Sequence, residues 1–249
     1  MTGYESIESA LLADIDGVEQ DGLVFCSKAY ALFEAVRNGP DGIARLRKLE
    51  GDLIDCLTGE LLPLCRYIQQ HYQAGRYMSV KWINGDQSFD AIVTQRGAVV
   101  DAHEMPPQFH IEVTSAQHPK EYLVGHALEE HGTVYGVDGM QPIREKGKMV
   151  SVETQPMARM GDSHIVEFDG FLTDAIAKKT QKVPPYPDQS TLVVVCRLNT
   201  IYYPEEWEAL LERVRTKINF GPFREIYLYD ARSHMDRLFK PSWIGGEAV

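Results

Sequence analysis

Two acidic residues occur in nearby segments whose apolar and polar residues alternate, a pattern typical of β-strands with one buried face. Asp90 lies on the polar side of residues 89–94, and Glu112 lies on the polar side of residues 109–116. If the two strands pair, the carboxylates converge and repel each other, and a divalent cation relieves that repulsion. Such a site can activate a water molecule and stabilise a phosphorane-like transition state.

The residues around the two acids are FDAIV at 89–93 and, after a loop, HIEVTSA at 110–116. They resemble the core of the PD-(D/E)XK nuclease superfamily, in which one strand carries an acid and the next carries an E-x-K pair. In the order of predicted elements, the similarity extends over residues 60–230. The resemblance implies a restriction-endonuclease-like fold and metal-dependent hydrolysis of phosphodiester bonds, with nucleic acid as the substrate.

In this superfamily a helix upstream of the strands often supplies a further glutamate. Glu60, within GELLPL, stands at a suitable distance before the strands, and Glu50 is the second choice. The resemblance implies that Asp90 and Glu112 are ligands of Mg²⁺ or Mn²⁺ and that Glu60 is an auxiliary acid at the same metal.

The chain departs from the superfamily pattern at the lysine, because Thr114 occupies that position and carries no charge. Lys81 on the preceding strand and Lys120 at the start of the next helix are candidates for a migrated lysine. Gln117 is a candidate for positioning a water molecule. The missing lysine leaves two other functions open, a non-catalytic binding or scaffold module with the same fold and an unrelated structural α/β domain.

Five of the eight histidines fall between residues 103 and 131, which raises the possibility of a zinc site. No pair among them has the H-x-x-x-H spacing that puts both imidazoles on one face of a helix. His126 and Glu130 have the spacing of an exposed helical pair. His110 shares the strand face of Glu112, where it would bind phosphate or carry a proton.

The formal charge of −11, from 25 basic and 36 acidic residues, disfavours binding of nucleic acid by overall electrostatics. A nuclease of this composition needs a local positive rim, and three small groups of basic residues are candidates. They are Arg45, Arg47 and Lys48; Arg144, Lys146 and Lys148; and Lys178, Lys179 and Lys182. The motifs G-x-S-x-G, Walker A and G-x-G-x-x-G are absent from the sequence, so serine-hydrolase, P-loop and Rossmann functions lack support.

The expected location is the cytoplasm, because the first residues do not resemble a signal peptide and the four cysteines lack C-x-x-C spacing. The sequence has no stretch of eighteen apolar residues, so no membrane span is predicted. Nucleic acid is the expected partner, a membrane is not, and self-association stays open.

The elements that must position these residues fall into two parts. Residues 1–58 have helical periodicity and are predicted to form a helical segment packed on an α/β core of residues 59–249. Thr58, Gly59 and Pro63 are expected to kink or split the third helical run.

Within the predicted core, strands are expected near 77–82, 89–94 and 109–116, and a helix at 119–130. Further elements are predicted as short strands at 134–137, 149–152 and 165–168, a helix capped by Asp169, a buried strand at 191–196, a helix from Pro204 and a last strand at 225–229. The order predicts an α/β fold with a central mixed sheet flanked by helices.

Overall fold

A seven-stranded mixed sheet, with the strand order β1-β2-β3-β4-β7-β8-β9, organises the chain. The computed structural model describes residues 3–158, 161–183, 185–198, 201, 203–232 and 235–241. Its strands are β1 Gln20–Asp21, β2 Tyr77–Trp82, β3 Ala91–Arg96, β4 Gln108–Ala116, β7 Ser190–Cys196, β8 Phe223–Asp230 and β9 Asp236–Phe239. A separate hairpin is formed by β5 Met140–Glu145 and β6 Lys148–Thr154.

Helices cover both faces of this sheet. They are α1 Gly3–Ala13, α2 Gly22–Asn38, α3 Gly42–Lys48, α4 Asp52–Cys56, α5 Leu62–His71, α6 Ala98–Asp101, α7 Tyr122–His131, α8 Ser163–Thr180 and α9 Pro204–Arg215. One apolar cluster joins α2 and α5 to one face, and another joins α8 and α9 to the other. This arrangement confirms the predicted α/β class with a mixed sheet flanked by helices.

The centre of the sheet is parallel, because β7 runs parallel to both β4 and β8. Every residue of β7 is buried, as expected for a continuous apolar run between two helical layers. Strands β1, β2, β3 and β9 extend the sheet with antiparallel pairs. The prediction of a fully covered strand at 191–196 is therefore confirmed.

Strands β3 and β4 pair as predicted, but their pairing ends early. The last partners are Ala91 and Ile111, after which β4 continues for five residues paired with β7 alone. Asp90, just before β3, donates its backbone N–H to the carbonyl of Ile111 at 2.8 Å. The two strands therefore form a fork, and residues 112–116 of β4 have no partner in β3.

Residues Leu57–Leu61 form one π-helical turn between α4 and α5. The hydroxyl of Thr58 donates to the carbonyl of Ile54 at 2.8 Å, and Pro63 lies in the first turn of α5. A proline there lacks only an N–H that a first turn leaves unpaired. The backbone stays helical through this turn, which carries Glu60, so the helix is not split at residues 58–63. The run predicted from residue 43 is instead interrupted at Leu49–Gly51, between α3 and α4. The division of the chain at residue 58 stays a prediction about domain organisation.

Four predictions in the second half of the chain are wrong. Residues 165–168 belong to α8, because Ile165, Phe168, Leu172 and Ile176 form a buried helical stripe longer than the four-residue window suggested. Asp169 therefore lies inside that helix and caps nothing. Residues 134–137 form no strand, and β9 follows the strand that was expected to be last.

The four cysteines are free thiols, and three of them, Cys26, Cys65 and Cys196, are buried. Within the described part of the chain, no helix is both long and apolar enough to span a membrane.

Candidate functional site

Asp90 lies at the opening of the fork, where it takes over part of the missing strand pairing. The backbone N–H of Val113, which has no partner in β3, donates to Asp90 Oδ2 at 2.6 Å. Burial, together with the nearby charges of Glu112 and Glu60, raises the pKa of Asp90 from 3.8 to about 7. The Val113 hydrogen bond and the Lys179 ammonium oppose that rise. Near neutral pH this carboxylate therefore titrates.

Glu112 is held from the opposite layer of the fold. Its carboxylate is 5% exposed, and its Oε1 accepts hydrogen bonds from Lys179 Nζ and, at 3.0 Å, from the hydroxyl of Tyr186. Lys179 lies in the last turn of α8, and Tyr186 lies in the proline-rich connector before β7. Burial raises the pKa of Tyr186, and the nearby Glu112 carboxylate raises it further. This hydroxyl therefore stays protonated and remains a hydrogen-bond donor.

Glu60 approaches the same region from the π-helical turn. Its Oε2 accepts a hydrogen bond from the indole N–H of Trp82 at 2.8 Å. Burial raises the pKa of Glu60, the charge of Glu112 raises it further, and Lys179 lowers it. Glu60, Asp90 and Glu112 therefore share one electrostatic environment, as expected for the auxiliary acid. Glu50, the second choice, instead faces His126 on the surface at 3.7 Å.

Each of the three carboxylates has one oxygen held by donors and a second oxygen without a hydrogen bond to any described residue. The second oxygens are Asp90 Oδ1, Glu112 Oε2 and Glu60 Oε1. As a set of three, the carboxylates do not come within 4.8 Å of one another. Carboxylate oxygens are the ligands that Mg²⁺ and Mn²⁺ prefer, and Mg²⁺ usually takes one or two of them and keeps several waters. The chemistry of the donor set, three carboxylates in one electrostatic environment, is therefore the kind that such a cation binds.

Lys179, which the sequence placed only in a candidate positive rim, brings an ammonium group to Glu112 on the face where Thr114 carries no charge. Thr114 is half-buried opposite Val194 of β7 and shares the strand face of Glu112. The detectable signal was the spacing of Lys179, three residues after Ile176 on the buried stripe of α8. The predicted helix from Asp169 ends at Lys178, one residue short of Lys179, whereas α8 continues to Thr180. Tyr186 lies in a connector whose sequence gives no periodic signal.

The other predicted site residues are not brought into contact with the carboxylates. The ammonium of Lys120 donates a hydrogen bond to the carbonyl of Asp138 at 2.9 Å. Gln117 is exposed and follows the end of β4. Lys81 makes no hydrogen bond or ion pair with the three acids in the described ranges. His110 lies beside Ile92 of β3.

His110 packs its ring against Phe89, with 4.5 Å between ring centroids. Burial lowers the pKa of this imidazole, and its Nδ1 is buried without a hydrogen-bond partner. The ring is thus neutral near pH 7. His110 lies where β3 and β4 are still paired, two residues before Glu112 and on the same strand face.

One histidine does meet two carboxylates elsewhere in the chain. Ligand atoms of His118, Asp138 and Glu167 lie within 4.8 Å of one another. However, the backbone N–H of Lys120 donates to His118 Nδ1 at 3.0 Å, which assigns the proton of the neutral ring to Nε2. That nitrogen faces Asp138 at 3.3 Å. A protonated Nε2 is a hydrogen-bond donor and not a metal ligand, so the cluster is arranged as a histidine–carboxylate hydrogen-bonding group.

Comparisons of the chain with known protein families, with curated proteins and with solved structures return no match. The geometry at the fork between β3 and β4 is therefore the basis for assigning a function.

Proposed function

We propose that this protein is a metal-dependent phosphodiesterase that acts on nucleic acid, with its active site at the fork between β3 and β4. The observation that carries the proposal is the delivery of Lys179 from α8 to Glu112, beside Asp90. Two acids and a lysine thus meet around the open edge of β4, although the lysine comes from a different element than the E-x-K pattern implies. Support also comes from Glu60, whose pKa responds to Glu112 and Lys179.

The protein's own groups would divide the work as follows. Asp90 and Glu112 would hold the divalent cation, and their orientation is fixed by the Val113 N–H and by Lys179 and Tyr186. When bound, the cation supplies charge neutralisation and lowers the pKa of an attacking water. The Lys179 ammonium then stabilises negative charge that develops on the phosphoryl oxygens.

Nuclease assays on wild type, Glu112→Gln and Lys179→Met, with single- and double-stranded DNA and RNA and with Mg²⁺ or Mn²⁺, test this proposal. Glu112→Gln removes a ligand charge while keeping the shape. Removal of one preorganised charge-stabilising group typically costs about 10²–10³-fold in rate. Lys178→Met is the matched control, because Lys178 precedes Lys179 on α8 and is exposed. Cleavage that survives Glu112→Gln would place the chemistry elsewhere.

A non-catalytic nucleic-acid-binding module is the second candidate function. It is favoured by the ion pair between Lys179 and Glu112, which neutralises a metal ligand, and by the incomplete convergence of the three carboxylates. Binding of oligonucleotide without any metal-dependent cleavage by wild type would support this candidate.

A further inference from the structure

A cleft of about 490 Å³ opens at the carboxyl ends of the parallel strands β7 and β8, and the active site proposed above does not include it. Its volume falls in the range of small-ligand sites, about 300–1,000 Å³. Ligands commonly bind outside the carboxyl ends of the strands in open α/β sheets. The cleft is lined by Val195, Arg197 and Tyr229 from the strand ends and by Tyr30, Thr58 and Arg66 from the helical layer.

Three arginines, Arg66, Arg197 and Arg232, project from three different parts of the chain onto this one cleft. The carboxylates in the lining are Glu121 and Asp230, so the formal charge of the lining is 3 − 2 = +1. Burial raises the pKa of Glu121, which favours its neutral form and leaves the cleft more positive. In a chain of net charge −11, a concave surface of this sign is a local exception that focuses anions.

The arginines differ in how far the protein already neutralises them. Arg66 forms an ion pair with Asp236 at 3.1 Å, and Arg232 lies 4.0 Å from Glu121. Arg197 is half-buried, and its guanidinium has no hydrogen bond or ion pair with any residue in the described ranges. Burial lowers the pKa of Arg197 despite the charge of Glu121. A desolvated guanidinium gains strongly from an anion that accepts two parallel hydrogen bonds, as a phosphate does.

The cleft opens toward the same strand ends as the fork, but on the α2–α5 face of the sheet, whereas the Glu112 side chain faces α8. Thr58 lines the cleft and belongs to the π-helical turn that carries Glu60. Glu112 pairs with Leu192, and Val195 of the cleft lies three residues further along β7. At about 3.3 Å per residue this separation is roughly 10 Å along the strand. Successive phosphates of one strand advance about 3.4 Å along a duplex axis, so about three nucleotides cover this distance along the strand.

We propose that this cleft is a phosphate-binding site in which Arg197 and Arg232 hold a phosphate of a nucleic acid strand, a few nucleotides from the bond at the fork. The inference rests on the proposed function for the identity of the strand. The binding chemistry, a phosphate on two guanidinium groups, is independent of catalysis. A mononucleotide would present the same chemistry, and the experiment separates the two sources.

Binding is measured by fluorescence anisotropy of a fluorescein-labelled single-stranded DNA oligonucleotide in EDTA, where no metal-dependent cleavage can occur. The proteins are wild type, Arg197→Gln, Arg232→Gln and the control Arg213→Gln, which removes an exposed arginine on α9. We expect each cleft variant to bind roughly ten- to hundredfold more weakly, the factor for loss of a charge-assisted hydrogen bond. The slope of log affinity against log salt should fall by about 1 per lost phosphate contact.

Arg232 is exposed, so Arg232→Gln should keep the fold if Arg197→Gln does not, and circular dichroism checks both variants. Unchanged affinity and salt slope in a folded Arg232→Gln would overturn the proposal. Displacement of the oligonucleotide by equimolar AMP would also overturn it, in favour of a mononucleotide site. Because no cleavage is measured, weaker binding by the cleft variants supports the site even if the nuclease assay fails.

Discussion

Replacing Asp90 by asparagine should stabilise the metal-free protein most at pH 8 and less than half as much at pH 5. The pKa of Asp90 rises from 3.8 to about 7 on folding, because its carboxylate is buried beside Glu112 and Glu60. Between these two values the folded state binds more protons than the unfolded state, so the free energy of unfolding falls as pH rises. Above pH 7 the full penalty is present, and below about pH 4 it is absent.

The size of the stabilisation follows from the pKa of Asp90, which lies about 3 above its ordinary value of 3.8 in the folded protein. At 1.36 kcal/mol for each unit of pKa, the ionised Asp90 costs the folded protein up to about 4 kcal/mol at pH 8. Asparagine removes this cost and keeps an oxygen that can accept the Val113 N–H. For a chain of this size, 1 kcal/mol corresponds to about 2–4 °C in Tm, so the variant should melt roughly 8–16 °C higher at pH 8 at most.

Thermal unfolding followed by circular dichroism in EDTA, from pH 5 to pH 8.5, measures this effect. Asp86→Asn is the matched control, because Asp86 is an exposed aspartate in the loop before the same strand. Addition of Mg²⁺ should raise the Tm of wild type at pH 8 and have less effect on Asp90→Asn, since the cation offsets the repulsion that the variant lacks. A variant that is equally or less stable than wild type at pH 8 would refute the electrostatic reasoning.

Three further predictions concern the same region and the core beside it. Mg²⁺ or Mn²⁺ should bind weakly to wild type at neutral pH and more weakly still to Asp90→Asn, and equal affinities by calorimetry would reject Asp90 as a ligand. Thr114→Lys, added to Lys179→Met, should restore part of the lost cleavage, because it returns a charge to the face of Glu112; no gain in a folded double variant would contradict this. Leu172→Ala should lower the free energy of unfolding by about 2–5 kcal/mol in urea titrations, because Leu172 is fully buried in α8, and a change below 1 kcal/mol would contradict that packing.

The strand pair at the site could be predicted from the sequence because its signal is local. Period-two alternation identified both β3 and β4, and the parity of Glu112 placed it on the polar face. Thr58 and Gly59 likewise predicted a disturbed helix, and a π-helical turn lies there without splitting the helix. These features depend on neighbouring residues alone, and the structure confirms the strand pairing.

The partners of Glu112 could not be predicted in the same way, since they come from residues more than sixty positions away. The misassigned stretch at 165–168 shows the physical reason. Three apolar residues around Glu167 fit either a strand or one turn of a helix, and only a stripe that continues through Leu172 and Ile176 distinguishes them. Once α8 is extended to Thr180, Lys179 falls on its buried stripe and becomes a candidate.

The fork at the site shows why a correct strand prediction still left its geometry unknown. Regular pairing beyond Ile111 would have given the Val113 N–H a backbone partner in β3. Instead the Asp90 carboxylate accepts that N–H, so the side chain that ends the pairing is also the proposed metal ligand. The open edge of β4 then admits Glu60 from one helical layer and Lys179 from the other. Strand ending and site formation thus depend on one residue, and substituting Asp90 by alanine would remove both the acid and the acceptor that satisfies β4.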